Sequence, residues 1–257
     1  PEAGIVDYRQ VCARMAEKVE SKEENQIFLA SKVVQMSMSG DRVVVSTARG
    51  EHEARFVVNC AGLHSDRVTS LTETPKAKII PFRGEYFEVV PEAHHLCRNL
   101  IYPVPDPSFP FLGVHFTRMI GGGLECGPNA VLAFAREGYT RTNVNWKDLA
   151  ETLSYPGFLR LSAKYWRTGL GEMWRSFSKG AFVRALQRLV PEIEEHHLEA
   201  VPAGIRAQAV TPEGKLVDDF LIQESSRVIH VGNAPSPAAT SSLNIGRLIV
   251  EKLEAHF

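Results

Sequence analysis

The sequence is poor in cysteine. Cys12, Cys60, Cys97 and Cys126 are the four in 257 residues, far apart and with no C-x-x-C pair. That excludes a disulfide framework and reads as the reduced thiols of an intracellular protein. Charge of one sign is not in excess either: 29 Lys and Arg stand against 30 Asp and Glu, a net charge of -1. A broadly basic nucleic-acid surface and an acidic tail are both excluded. No apolar run reaches the roughly 18 residues that a spanning helix needs. There is no G-x-S-x-G elbow and no phosphate loop; Gly121-Gly122-Gly123 reads as a hairpin turn. The pairs His94-His95 and His196-His197 have no Cys or His partner at ligand spacing, so no metal site is expected. Nor is Met the first residue: Pro1 reads as a start inside a longer frame or as a processed end.

What is present is globular. Hydrophobic residues make up 44% and charged residues 23%, near the averages for one large or two modest domains. Asp7 predicts a helix N-cap, with Gln10 three residues on and Tyr8, Val11, Cys12, Met15, Ala16 and Val19 on one face. Strand patterns follow, with turns at Ser39-Gly40-Asp41 and Ala48-Arg49-Gly50-Glu51. The apolar Phe56-Val57-Val58 runs into Asn59-Cys60-Ala61-Gly62, small residues that let a ligand approach the backbone. Residues 78–135 read as β-rich, with strands at Arg83–Val90, Leu100–Val104, Leu112–Thr117 and Leu124–Gly127. Residues 145–195 read as helical. Within them, 157–190 interleave Arg160, Lys164, Arg167 and Arg175 with Phe158, Trp166, Trp174 and Phe177 against the single acid Glu172. Such a stretch is a solvated basic face over core aromatics or a peripheral membrane or partner surface. Strands return at Leu198–Val201, Ile205–Val210, Phe220–Gln223 and Val228–Val231. The small residues Gly232 to Ser242 then open a final helix, whose N-terminus offers unpaired N–H groups to an anion or carbonyl oxygen.

Four side chains invite chemistry. Arg206 lies in an apolar strand, where its planar fork suits a carboxylate or a structural pair with Asp218 or Asp219. Arg83 has Glu85 two residues on, on the same side of a strand. His115 lies among apolar neighbours, as a core histidine or a general base. His64 stands where it would cap a short helix.

Together the motifs Gly4-Ile5-Val6-Asp7-Tyr8-Arg9, Cys60-Ala61-Gly62-Leu63, Pro81-Phe82-Arg83-Gly84-Glu85-Tyr86, Tyr102-Pro103-Val104-Pro105-Asp106-Pro107, Phe111-Leu112-Gly113-Val114-His115, Gly127-Pro128-Asn129, Gly204-Ile205-Arg206-Ala207-Gln208 and Asn233 to Ser241 resemble the L-2-hydroxyglutarate dehydrogenase/oxidase family. That family lies in the FAD-dependent, D-amino-acid-oxidase-like superfamily, and the likeness is nearer its bacterial members. The resemblance implies an α/β (α+β) fold. Residues 1–75 and 200–257 would be the remainder of a Rossmann-like FAD-binding domain, and 76–199 an inserted antiparallel-sheet substrate domain with the helical segment 145–195. It implies FAD as cofactor, with Val33 at its adenine end, Ala61 and Gly62 along the nucleotide, and Asn233, Ala234, Ala239, Thr240 and Ser241 around the flavin. Arg206, Arg83 and Tyr86 would hold a 2-hydroxy acid, and His115 would take its hydroxyl proton, with Arg206 counted in the catalytic set. Electrons would pass to the membrane quinone pool or to oxygen, in a cytoplasmic protein peripheral on the inner membrane. The family's G-x-G-x-x-G unit is missing, so the likeness covers the C-terminal portion. Two other readings stay open: a fragment without activity by itself, and a related flavin oxidoreductase acting on another 2-hydroxy or 2-amino acid.

Overall fold

A computed structural model of the protein describes residues 4–104, 113–234 and 237–256. Parts of four sequence motifs, Pro105-Asp106-Pro107, Phe111-Leu112, Pro235-Ser236 and the start of the Leu112–Thr117 strand, lie outside the described residues. The elements in chain order are α1 (Tyr8–Glu20), β1 (Val33–Ser39), β2 (Arg42–Thr47), β3 (Gly50–Ala54), β4 (Val57–Asn59), α2 (Ser65–Thr69) and β5 (Lys78–Val89). Then come β6 (His115–Arg118), β7 (Leu124–Gly127), β8 (Val131–Leu132), α3 (Trp146–Leu153), α4 (Pro156–Phe177), α5 (Lys179–Leu186) and β9 (Leu198–Val210). The chain closes with β10 (Leu221–Glu224), β11 (Val228–Asn233) and α6 (Ser242–Glu254).

These elements form two compact units, Ile80–Leu216 with residues 4 and 5, and Val6–Ile79 with Val217–Phe257. The second unit holds an antiparallel meander, β1-β2-β3, and a sheet of order β10-β11-β4. In that sheet β11 runs parallel to β4, with Val228, Ile229 and His230 opposite Val57, Val58 and Asn59. The parallel pair joins the two ends of the chain, and its buried Val228 and Ile229 need a strand on each side to satisfy their backbone. Asp7 caps α1 by accepting from the Arg9 and Gln10 amides at 2.9 and 3.2 Å. The expected apolar face of α1 is open: Tyr8 and Val19 are exposed.

The first unit is built on a five-stranded sheet of order β6-β7-β5-β8, with β9 also pairing with β5. Its main core brings Phe87, Phe116, Leu124 and Cys126 from the strands against Phe182, Val183 and Leu186 of α5. Phe87 and Phe182 meet with ring centroids 4.8 Å apart. The Gly121-Gly122-Gly123 turn joins β6 to β7, with Gly122 at φ +93°. Three sequence expectations change. The two strands expected either side of Pro202 form one, β9, because its pairing with β5 carries the chain through. That pairing also carries residues 200–216 into the inserted unit, beyond the boundary read at 199. The strand expected at Leu100–Val104 is reduced to a bridge between Ile101 and Phe116.

Candidate functional site

The first group of candidate residues gathers on the sheet of the inserted unit. Along β5, residues 83 and 85 point to one side and 86 to the other. Tyr86 turns to β9, where Arg206 donates a hydrogen bond to its phenol oxygen. The Tyr86 ring lies against two glycines. A Cβ on Gly204 would stand 3.6 Å from its Cε2, and one on Gly127 would meet Cδ1 at 3.2 Å and the Glu85 carbonyl at 2.7 Å. Gly127 also sits at φ +138°, so a side chain there is excluded twice over. Burial pushes the Tyr86 hydroxyl above its ordinary pKa, partly offset by Arg206, so it remains a proton donor.

His115 opens β6 and stacks on Tyr102, centroids 4.4 Å apart and planes at 23°. Its Nδ1 lies 3.1 Å from the Gly113 carbonyl oxygen. A carbonyl only accepts, so Nδ1 carries the proton and Nε2 keeps its lone pair. Burial, with help from the Arg206 charge, holds the imidazole below its ordinary pKa despite that bond. His115 is therefore a neutral base near pH 7. Arg206 is half-buried, not enclosed in an apolar strand as expected.

The structure does not bring Arg83 to this group. Arg83 and Glu85 are both buried, with Nη2 3.1 Å from Oε1, and Arg83 Nη1 donates to the Thr140 carbonyl at 3.3 Å. Glu85 is the hub of this second cluster. Its Oε1 also accepts from Arg141 Nε at 2.8 Å and Ser176 Oγ at 2.8 Å, and its Oε2 from Asn129 Nδ2 at 2.9 Å. Burial acts to raise its pKa, but the bonds from Arg141, Asn129 and Ser176 outweigh it and the carboxyl is held low. Sequence reading foresaw the Arg83–Glu85 pair but missed Asn129, Arg141 and Ser176, which reach Glu85 from 44, 56 and 91 residues away.

The cofactor candidates belong to the other unit. Ala61 and Gly62 follow β4, and Asn233 ends β11, so both segments lie at the C-terminal end of the parallel pair. Open α/β sheets bind ligands at that end. Gly62 has φ +53° and nothing within 4 Å of where a Cβ would be. Asn233 is buried, and its amide donates to the Val217 and Asp219 carbonyls at 3.0 and 2.9 Å, which fixes where the chain leaves the strand. Ala239 and Thr240 are exposed in the turn before α6. Ser241, the α6 N-cap, makes no side-chain cap bond to the first amides of the helix. Val33 opens β1 in the meander sheet of the same unit. Exposed backbone with small side chains at the ends of two parallel strands fits a dinucleotide laid along it.

A residue that sequence reading missed supports this loop. Asn59 is buried, and its Oδ1 accepts from the Ala61 amide at 3.0 Å. That fixes the amide's orientation, so its Nδ2 donates to the Ser65 carbonyl at 3.0 Å and faces His230 Nδ1 at 3.1 Å. His64 stands at the N-cap of α2 without a side-chain cap bond.

Comparison with known proteins extends the picture. Residues 1–252 match the FAD dependent oxidoreductase (DAO) family. An L-2-hydroxyglutarate dehydrogenase from Indibacter alkaliphilus is 53% identical over 253 residues, covering 98% of this chain and 63% of that protein. The human mitochondrial L-2-hydroxyglutarate dehydrogenase is 40% identical over 274 residues, covering 100% of this chain and 59% of that protein. The chain thus spans about three fifths of the length of these curated relatives. Among solved structures, the FAD-bound L-alpha-glycerophosphate oxidase of Mycoplasma pneumoniae superposes with a TM-score of 0.62 at 17% identity, covering 87% of this chain and 50% of that one. Its fold is shared; its substrate is another matter. The expected α/β fold with an inserted antiparallel sheet is the one found, FAD is the cofactor of its kin, and the chain belongs to the FAD-dependent oxidoreductase family.

Proposed function

We propose that the protein carrying this chain oxidises L-2-hydroxyglutarate to 2-oxoglutarate. The observation that carries the proposal is the Arg206–Tyr86–His115 group on one sheet. FAD, when bound, supplies the two-electron acceptor; Ala61, Gly62, Asn233, Ala234, Ala239, Thr240, Ser241 and Val33 are the residues that would hold it. Arg206 pairs with a substrate carboxylate, its guanidinium steadied by the Tyr86 oxygen. His115 Nε2 takes the proton of the C2 hydroxyl as the C2 hydrogen leaves as hydride, so the alcohol becomes a ketone. Arg83 sits against Glu85, which favours a supporting role for it over a substrate contact. The names of the relatives support the choice of substrate. Electrons then leave to a quinone-linked acceptor or oxygen, in a cytoplasmic setting. Among the described residues no helix is long and apolar enough to cross a membrane.

Steady-state kinetics on the flavin-loaded protein test this. Arg206→Ala should raise KM about 10- to 100-fold, the weight of a charged hydrogen bond. His115→Gln should lower kcat by roughly 10²–10⁴. Unchanged KM in the first, or full turnover in the second, overturns the assignment. A panel of 2-hydroxy and 2-amino acids separates this substrate from its analogues. Flavin absorbance of the purified chain separates a cofactor-binding chain from a fragment inactive by itself.

A further inference from the structure

Tyr102 stacks on the imidazole of His115, and the backbone explains why it stands there. Ile101 and Phe116 form a single antiparallel bridge, each amide donating to the other's carbonyl, at 3.1 and 2.9 Å. The neighbouring pair, residues 102 and 115, falls at the non-hydrogen-bonded position, where cross-strand side chains come closest. Pro103 stops the ladder after that, because the next amide to donate would be its own. It also keeps Tyr102 extended, so the ring projects to the same side as the imidazole. The result is a stacked contact with centroids 4.4 Å apart and planes at 23°. Pro103 in turn lies against Gly113, where a Cβ would stand 3.5 Å from the proline Cγ. Gly113 is the residue whose carbonyl holds the Nδ1 proton of His115.

The Tyr102-Pro103 pair thus grips His115 at two points. Pro103 backs the residue that fixes the tautomer, and the phenol ring fixes the plane of the imidazole. Tyr102 is 48% exposed, so the ring covers the imidazole without filling a core. Ionisable groups on this side of the sheet include Tyr86 and Glu88 of β5, Glu125 of β7 and Arg206 of β9. Arg206 opposes a positive charge on the imidazole, and burial does the same. His115 would therefore receive its proton where the charged form is disfavoured. A ring face has the opposite influence, because its quadrupole attracts a cation lying over it.

We propose that Tyr102 is a positioning residue for His115, holding the imidazole plane and stabilising the imidazolium that forms when Nε2 takes a proton. The proposal rests on the reading of His115 as the base of the oxidation. In that step the O–H bond at C2 breaks and its proton joins Nε2. The C2 hydrogen leaves as hydride to the two-electron acceptor, and the C2–O bond becomes a carbonyl. The ring acts most strongly on the charged base, so its effect falls on turnover and not on substrate binding.

Two measurements on Tyr102→Leu and Tyr102→Phe test this, with circular dichroism checking that each variant folds. The first is an NMR titration of isotope-labelled histidines in the full chain, with His115→Gln identifying the His115 signals. In Tyr102→Leu the His115 midpoint should move about 0.4–1.5 pH units lower, the weight of a ring face under a cation. Tyr102→Phe keeps the ring and should restore most of the difference. In the unmodified protein the ring current of Tyr102 should shift the His115 ring protons upfield, which reads the contact without a variant. The second measurement is steady-state kinetics on the flavin-loaded protein. Tyr102→Leu should lower kcat about 2- to 30-fold with KM for L-2-hydroxyglutarate unchanged, and Tyr102→Phe should recover most of the loss. Unshifted ring protons or an unmoved midpoint overturn the inference. So does a raised KM with kcat intact, which makes Tyr102 a substrate ligand, or a Phe variant as impaired as the Leu variant, which assigns the effect to the hydroxyl. The titration needs no substrate. It decides whether Tyr102 bears on His115 even where His115→Gln keeps full turnover and the proposed reaction falls.

Discussion

Removing Glu85 should expose how the inserted unit balances buried charge. In Glu85→Leu two guanidiniums lose their carboxylate. Arg141 is 47% exposed at its side chain and can turn to water; Arg83 is 5% exposed and cannot. What Arg83 keeps is the Thr140 carbonyl at 3.3 Å, and its Nε has no partner among the described residues. Leaving one buried charge unpaired costs about 3–5 kcal/mol. At about 2–4 °C per kcal/mol for a domain of this size, the melting temperature should fall by roughly 6–20 °C. Arg83→Met alone should cost less, about 1–3 kcal/mol, because Glu85 keeps Arg141, Asn129 and Ser176. The combination Arg83→Met/Glu85→Leu removes both charges and should be more stable than the sum of the single losses by about 2 kcal/mol. Denaturant melts of the four proteins measure this cycle, and strict additivity would refute the reasoning. The same proteins weigh Arg83 as a substrate ligand. Lost stability with an unchanged KM assigns Arg83 to Glu85; a raised KM with unchanged melting assigns it to the substrate.

The legible parts of the sequence were those whose physics is local. Asp7 names its own helix because its carboxylate reaches amides two and three residues away. Gly122 marks the turn between β6 and β7 because few other residues take its φ. Asn59-Cys60-Ala61-Gly62 marked the end of a strand, and β4 ends at Asn59. What local pattern could not give was partnership at a distance. The parity of residues 83 and 86 on one strand already separates Arg83 from Tyr86, yet which of them meets Arg206 depends on β9 pairing beside β5, more than a hundred residues later. The gap read between Val201 and Ile205 holds Pro202, which lacks an amide proton, yet β9 runs through it from Leu198 to Val210. Asn59 carried no signal of its own. Its importance comes from the strand end, α2 and His230 converging on one amide.

Further outcomes follow from the same geometry. The acid limb of kcat/KM should lie below the ordinary histidine pKa of about 6.5, because burial and Arg206 hold His115 low; in Arg206→Ala the limb should move to higher pH, and an unmoved limb refutes the coupling. Cys12 and Cys60 are exposed and should react with a thiol reagent in the folded protein, while Cys97 and Cys126 are buried, with burial pushing the Cys126 thiol far up, and should react only on unfolding. Asn59→Ala should free the Ala61 amide, weakening FAD retention by flavin absorbance; undiminished retention refutes the support role. The last outcome concerns His230, which is fully buried. Asn59 Nδ2 donates to its Nδ1, so Nε2 carries the proton and donates to Thr72 Oγ1 at 3.0 Å. A second proton would have to sit on Nδ1, against the amide donor. Burial lowers the folded-state pKa, and the Glu73 carboxylate offsets only part of it. The unfolded chain, with its histidine near 6.5, therefore binds more protons than the folded one as pH falls below that value. The stability His230 contributes is complete above about pH 6.5 and is lost as pH falls toward the lowered folded value. Urea melts across that interval should slope less in His230→Gln than in the parent, whatever the variant's overall stability. Equal slopes would mean that the imidazole is not held neutral by this network.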